Sequence, residues 1–303
     1  MPGMRKPGMD NDFYDYSAIV SRPQLKWPDD ARVALCVIVN LEHYEFSPPA
    51  DAFNPTGYIS DLGGQTNDYP RVSHREYGNR VGIYRIMKVL DKLGIKATAA
   101  IDAAVAENYP FLVDQCQKRG WEFIGHGKAV TQSISSNMTE AQERDYIKSS
   151  LESVEKATGK KPVGWHGPEY GESTRTPALL AEQGIQYLCD FPNDEQPYPM
   201  KVPKGSLVSL PIMLEMEDVY TNGLNHLTTW RWERVVTEGF DYMYDDGARN
   251  GRLLTLNIHP WFIGQPHRIK YLDQALTHIV QHEGVWKATG SEIVDWYKKA
   301  QIR

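Results

Sequence analysis

The stretch Ala34-Leu35-Cys36-Val37-Ile38-Val39 runs directly into Asn40-Leu41-Glu42-His43-Tyr44-Glu45. A continuous apolar run, rich in β-branched residues and followed by polar ones, reads as a buried strand. In barrels and open parallel sheets, the carboxyl ends of strands carry the chemistry. Three further runs end in the same manner: Trp121-Glu122-Phe123-Ile124-Gly125 before His126, Val163-Gly164-Trp165 before His166, and Leu253-Leu254-Thr255-Leu256-Asn257-Ile258 before His259. Acid and imidazole groups at four strand ends point to the site of an α/β enzyme.

Working outward, the apolar runs alternate with helical stretches. Helical spacing falls over residues 81–93, 103–117, 230–244, 269–280 and 291–299, with a further helix at 174–183. Thr139 is placed to cap another that stops at Gly159. Ser291 with Glu292 suits the start of the last helix, without full capping-box spacing. Shorter strand-like runs fall at 96–101, 185–189, 206–210 and 285–286. Alternating units without a linker, a repeat or a low-complexity segment favour one barrel in 303 residues. The expectation is a single barrel domain over 31–300, preceded by an N-terminal extension, 1–30. A long irregular insertion at about 46–77 is rich in Pro, Gly and aromatic residues, as expected of a segment that covers a site or makes a subunit contact.

The charge is mildly acidic, 33 Lys+Arg against 39 Asp+Glu, and the arginines are scattered, which argues against nucleic acid as a partner. No apolar core of signal-peptide type and no membrane-length run is present. Cys36, Cys116 and Cys189 lie in apolar segments and read as free thiols of a reducing compartment. A cytoplasmic enzyme with a small-molecule substrate is expected. No glycine-rich phosphate loop follows the first strand, and no Gly-Xaa-Ser-Xaa-Gly elbow occurs. Hydrolysis by an activated water fits what remains.

Glu42 shares the strand period of Asn40, so both belong on one face, and a carboxylate there is a general base, a metal ligand or an exposed loop acid. His126 sits between Gly125 and Gly127, which present the imidazole. His166, Glu169 and Tyr170 share a turn stiffened by Pro168, placing candidate acid, base and oxyanion donor close together. Pro260 biases His259 toward an extended strand end. Glu217 and Asp218 read as pocket acids or as a solvated loop, and His267 with Arg268 as a helix start or a carboxylate clamp.

These residues resemble the polysaccharide deacetylase superfamily (NodB-like domain), and within it the branch of allantoinases and cyclic imide hydrolases. The resemblance covers about residues 32–296. It is carried by Tyr77-Gly78-Asn79-Arg80-Val81-Gly82, by Gly120 through Gly127, and by the segment from His259-Pro260 to Arg268. It implies an α/β fold, a distorted (β/α) barrel of about seven strands. Typical metal-dependent members end the first strand in an Asp pair and follow the third with two histidines four residues apart. This chain has Asn40-Leu41-Glu42 and Val130 at those places, and His166-Gly167-Pro168-Glu169 where an Arg-Xaa-Pro-Tyr turn is usual. No cofactor is therefore expected, while zinc or another divalent metal at an atypical site built from Glu42, His126 and another acid stays open.

The implied reaction is hydrolysis of a carbon–nitrogen bond in a small cyclic amide, allantoin- or imide-like. Glu42 or Glu169 would deprotonate water, His126 would orient it or polarise the carbonyl, and His259 would protonate the leaving nitrogen. Tyr77, Asn79, Arg80, His166, Tyr170, Asp218 and Trp261 are the expected substrate contacts. Metal-dependent deacetylation of an N-acetylated sugar is the alternative, and a non-catalytic binding barrel is another. Relatives assembled from several subunits imply a homotetramer or dimer.

Overall fold

The computed structural model describes residues 11–50, 52 and 69–301. Strand β1 is Val33–Leu41, buried along its whole length. Helix α1 (Tyr69–Tyr77) passes through a π-helical turn at Gly78–Gly82 into α2 (Ile83–Leu93). Next come β2 (Thr98–Ile101), α3 (Ala103–Asn108), α4 (Pro110–Lys118), β3 (Glu122–Gly125) and α5 (Glu140–Thr158). The chain continues through β4 (Gly164–Trp165), α6 (Thr176–Glu182), β5 (Tyr187–Leu188), β6 (Tyr198–Met200) and β7 (Leu207–Ser209). It closes with α7 (Thr229–Gly247), β8 (Arg252–Ile258), α8 (Ile269–Val280), β9 (Val285–Lys287) and α9 (Gly290–Gln301).

The nine strands of the described residues join one sheet, ordered β6-β7-β5-β4-β3-β2-β1-β8 with β9 also paired to β1. Strands β1 to β5, β7 and β8 run parallel and form the wall, β9 adds a short parallel pairing, and β6 is antiparallel to β7. The sheet curls until its ends nearly meet. Between β8 and the β7 side, the backbone bonds Met213 N to Thr255 O (3.1 Å) and Leu253 N to Glu195 O (2.8 Å) bridge the gap. The distorted barrel expected from the sequence is the observed architecture.

The two-residue period of β1 sorts its side chains. Val33, Leu35, Val37, Val39 and Leu41 pack outward against helical residues such as Ile86, Leu90, Val236, Phe240 and Leu276. Ala34, Cys36 and Ile38 pack inward with Ile124, Tyr187, Cys189 and Leu253. Each fully buried aliphatic residue contributes roughly 1.5–3 kcal/mol of transfer free energy. The inward register carries on to Asn40 and Glu42, which delivers them to the mouth of the barrel.

Several local expectations are corrected. The irregular stretch expected to about residue 77 ends earlier, because Tyr69–Tyr77 is helical. Among its described side chains the buried ones are Val72 and Arg75, which make no apolar stripe. Most of the remaining insertion, 53–68, lies outside the described residues. The helix expected over 103–117 is two helices, since Pro110 opens a new one after the non-helical Tyr109. Helix α9 starts with one half of a capping box. Its cap is Thr289, whose N–H (2.8 Å) and hydroxyl (3.0 Å) both donate to Glu292 Oε2. Within the expected extension, Leu25 and Trp27 are buried, and Trp27 Nε1 donates to Arg252 O at 2.8 Å. Among the described residues, no helix is long and apolar enough to cross a membrane.

Candidate active site

The four polar strand ends converge. Glu42 follows β1, His126 follows β3, His166 follows β4 and His259 follows β8. All four line one small buried cavity, together with Arg75, Glu169, Tyr170, Glu217, Val219 and Trp261. A larger groove lies at the other end of β8, where Arg252 begins the strand. Its charges are paired off as Arg22–Asp194, Arg252–Glu195 and Arg252–Asp246, so the small cavity is the stronger candidate.

Three imidazoles are anchored in one way. His126 Nδ1 lies 2.5 Å from His166 O, and a carbonyl only accepts, so the proton sits on Nδ1. His166 Nδ1 faces Asp190 Oδ1 at 2.6 Å, and His259 Nδ1 faces Asp218 Oδ1 at 2.8 Å. Each ring therefore spends Nδ1 on an acceptor behind it and turns Nε2 elsewhere. His126 Nε2 is 3.5 Å and His259 Nε2 is 3.8 Å from the same oxygen, Glu42 Oε1. His166 Nε2 meets Asn257 Nδ2 at 3.5 Å. Asn79 Nδ2 donates to Glu42 O at 2.7 Å and fixes the backbone of the acid.

Electrostatics separate the carboxyl groups. Burial pushes Glu42 upward, but His259, then His126 and Arg75, outweigh it and hold the group down at about 2. Burial alone would lower His259, yet Asp218, Glu42 and Glu217 raise it to about 10. Burial lifts Glu217 to about 8 against the pull of His259, and lifts Glu169 with help from the Glu42 charge. Burial keeps His166 below the usual histidine range despite Asp190. At neutral pH the cavity thus holds an ionised Glu42 beside a protonated His259. Acids pushed in opposite directions divide naturally into base and acid roles.

Backbone geometry supports this layout at two places. Glu169 and Tyr170 both adopt left-handed conformations, with φ of 53° and 57°, which cost non-glycine residues roughly 1–3 kcal/mol each. That turn carries Glu169 toward Tyr44, whose hydroxyl donates to Glu169 Oε1 at 3.4 Å. At Gly82, a Cβ would lie 2.0 Å from Pro260 O, so only glycine lets the helical run press against the His259–Pro260 turn.

The other sequence candidates are distributed unevenly. His166, Tyr170 and Trp261 line the cavity. Asn79 and Asp218 stand behind Glu42 and His259 rather than in the cavity itself. Arg80 points outward, with 70% of its side chain exposed and Glu76 at 3.8 Å, because the π-helical turn rotates it away. Tyr77 accepts from Arg85 on the same helical run and is not in the lining. The cation inside is instead Arg75, 3.4 Å over the Trp261 ring and 4.6 Å over Tyr44. No sequence signal set Arg75 apart from its neighbours. Asp190 was findable, being the polar residue that ends the β5 run, and Asn257 sits one strand period before His259. Glu217 is buried at the cavity, not in a solvated loop.

The donor set of metal-dependent relatives is not reproduced. Asn40 donates to Asn257 Oδ1 at 2.7 Å, and Val130 packs with Tyr44 and Val72. A different set is present, in which Glu217, Asp218 and His259 offer ligand atoms within 4.8 Å of one another. Glu217 Oε2 and Glu42 Oε2 are buried and have no hydrogen-bond partner among the described residues. Two carboxylates, an imidazole and an orphaned carboxylate oxygen fit a divalent cation.

Comparison with known proteins shows what this geometry is similar to. Residues 76–188 match the family model "Polysaccharide deacetylase". A peptidoglycan deacetylase of Helicobacter pylori is 24% identical over 280 residues, covering 82% of this chain and 94% of that protein. Among solved structures, Puue allantoinase superposes with a TM-score of 0.83 at 24% identity over 93% of this chain and 95% of its own, a likeness of fold. A "probable Polysaccharide deacetylase" from Pseudomonas aeruginosa PAO1 gives 0.81 at 25% identity over 92% and 95%. The chain thus carries a polysaccharide-deacetylase-like domain, matched by the family model over residues 76–188, within a barrel similar in fold to these solved structures.

Proposed function

We propose that this protein hydrolyses a carbon–nitrogen amide bond with water activated in the cavity at the barrel mouth. The observation that carries the reading is the meeting of His126 and His259 on one oxygen of Glu42. Glu42, ionised at any ordinary pH, takes the proton of a water placed between the two rings. His126, its proton committed to the His166 carbonyl, offers Nε2 to orient that water. The Arg75 guanidinium, confined between Tyr44 and Trp261, faces the charge that develops on the carbonyl oxygen. His259, protonated and held by Asp218, supplies the proton to the departing nitrogen. Glu217, Asp218 and a deprotonated His259 would alternatively hold a divalent cation, whose Lewis-acid polarisation of the carbonyl would then replace the acid role of the His259 imidazolium.

Two substrate classes have separate support. The matching family model and the deacetylases among the relatives favour an acetamido group, as on an N-acetylated sugar. The small, roofed cavity and the absence of the Asp-His-His set favour a compact ring amide of the allantoin or imide kind. The test is turnover of a panel containing an N-acetylglucosamine oligomer, allantoin, hydantoin and succinimide, with and without added zinc. Acetate release assigns the first class and ring opening the second. No turnover of any member under either condition refutes the amide-hydrolase reading.

A further inference from the structure

We infer that Asp241, His278 and His282 form a second cation site, specific for a transition metal such as zinc, that clamps α7 to α8 far from the barrel mouth. Their ligand atoms lie within 4.8 Å of one another. His278 and His282 are four residues apart and so fall on one face where α8 ends, while Asp241 reaches across from α7. His278 Nε2 is already 2.6 Å from Asp241 Oδ1. His282 Nδ1 faces the carbonyl oxygen of His278 at 2.8 Å and must carry its proton there. Its Nε2 is left as the metal-binding nitrogen. An Nδ1–H to carbonyl bond is the support that metal-bound imidazoles ordinarily have.

The rings are also held in place. Phe240 packs edge-on against both imidazoles, with centroids 6.0 Å and 5.1 Å away, and Tyr244 lies 5.1 Å from His282. Tyr244 is covered in turn by the Arg32 guanidinium at 4.6 Å, beside the first residue of β1. That places the cluster at the amino-terminal ends of the strands, where a barrel concerns itself with stability rather than chemistry. Tetrahedral zinc with bonds of about 2.0–2.1 Å needs ligands roughly 3.3 Å apart, so modest side-chain rotation closes the set. Two imidazoles and a carboxylate suit zinc, nickel or copper over magnesium or calcium. Half-exposed Asp241 leaves the fourth position to water.

The test is calorimetric titration of zinc into the metal-stripped full chain, with thermal melts in parallel. The proposal expects a zinc-binding event that persists in Glu217→Gln, and that weakens at least about tenfold in both His282→Ala and Asp241→Asn. Asp241 is exposed, so its variant keeps the test sound even if His282→Ala disturbs packing. Zinc at about a hundredfold excess over Kd raises the wild-type melting temperature by several degrees, and by much less in either helix variant. The proposal is overturned if both helix variants bind zinc as the wild type does, if Glu217→Gln abolishes every event, or if no zinc binds below about 1 mM.

Discussion

Replacing Glu42 by Gln tests the chemistry at its centre. The amide has the shape of the carboxyl, and the Asn79 bond to the backbone oxygen of residue 42 is untouched, so the fold should persist. What disappears is the charge. A unit charge 3.8 Å from a protonated His259 is worth on the order of 4 kcal/mol at the effective dielectric of a protein site. Loss of a general base removes about 10²- to 10⁴-fold from kcat, or roughly 3–5 kcal/mol of barrier, with little change in KM. Stability gives an independent reading. Because Glu42 is held at about 2 against an ordinary 4.5, its contribution is complete above pH 4.5 and lost as pH falls toward 2. At about 1.4 kcal/mol per unit, the loss in the wild type is on the order of 3 kcal/mol across that window. The variant has no such group, so the gap in unfolding free energy between wild type and Glu42→Gln should narrow as the solution is acidified. The assay is steady-state hydrolysis of whichever panel member is turned over, with urea melts at several pH values from 7 down to 3 on metal-stripped protein. A variant within threefold of wild-type kcat, or a stability gap that stays constant with pH, would refute the reasoning.

Three further outcomes follow from particular contacts. Asp218→Asn leaves one acceptor where the carboxylate serves His259 N, His259 Nδ1 and Val219 N, so kcat should fall about 10- to 100-fold in the same assay. Arg75→Lys keeps the charge but loses the planar stack on Trp261, and kcat/KM should drop about tenfold or more while the melting temperature shifts little. Unchanged kinetics would remove Arg75 from the site. Gly82→Ala sets a methyl 2.0 Å from Pro260 O with backbone on both sides, and should cost about 2–4 kcal/mol in chemical denaturation.

What the sequence disclosed followed the strength of its periodic signals. The buried run of β1 and its polar end were legible because a short apolar run rich in β-branched residues and bounded by polar ones favours a buried strand, and the register then placed Asn40 and Glu42 inward. His126, His166 and His259 were legible for the same reason at β3, β4 and β8. Arg75 was not, because α1 lacks an apolar face and its inward residue is a cation held by aromatic rings distant in sequence. Arg80 stood in the more conspicuous motif, and only the extra residue in the π-helical turn shows that it faces away. The contrast between Glu217 and Asp218 was also hidden, since adjacent acids differ here through which one His259 engages with its backbone.

Arg75 and Trp261 roof a cavity whose reactive groups stand on the barrel wall, and the two parts come from separate pieces of chain. In the proposed reaction, the wall would fix what can be done to an amide. The roof would decide which amide is admitted, and a handful of side chains compose it. A lineage could therefore trade one substrate for another by rewriting α1 and the turn after His259 while Glu42, His126 and His166 stay as they are. Engineering should follow the same division, with libraries confined to Tyr44, Arg75 and Trp261 changing selectivity long before they threaten the barrel.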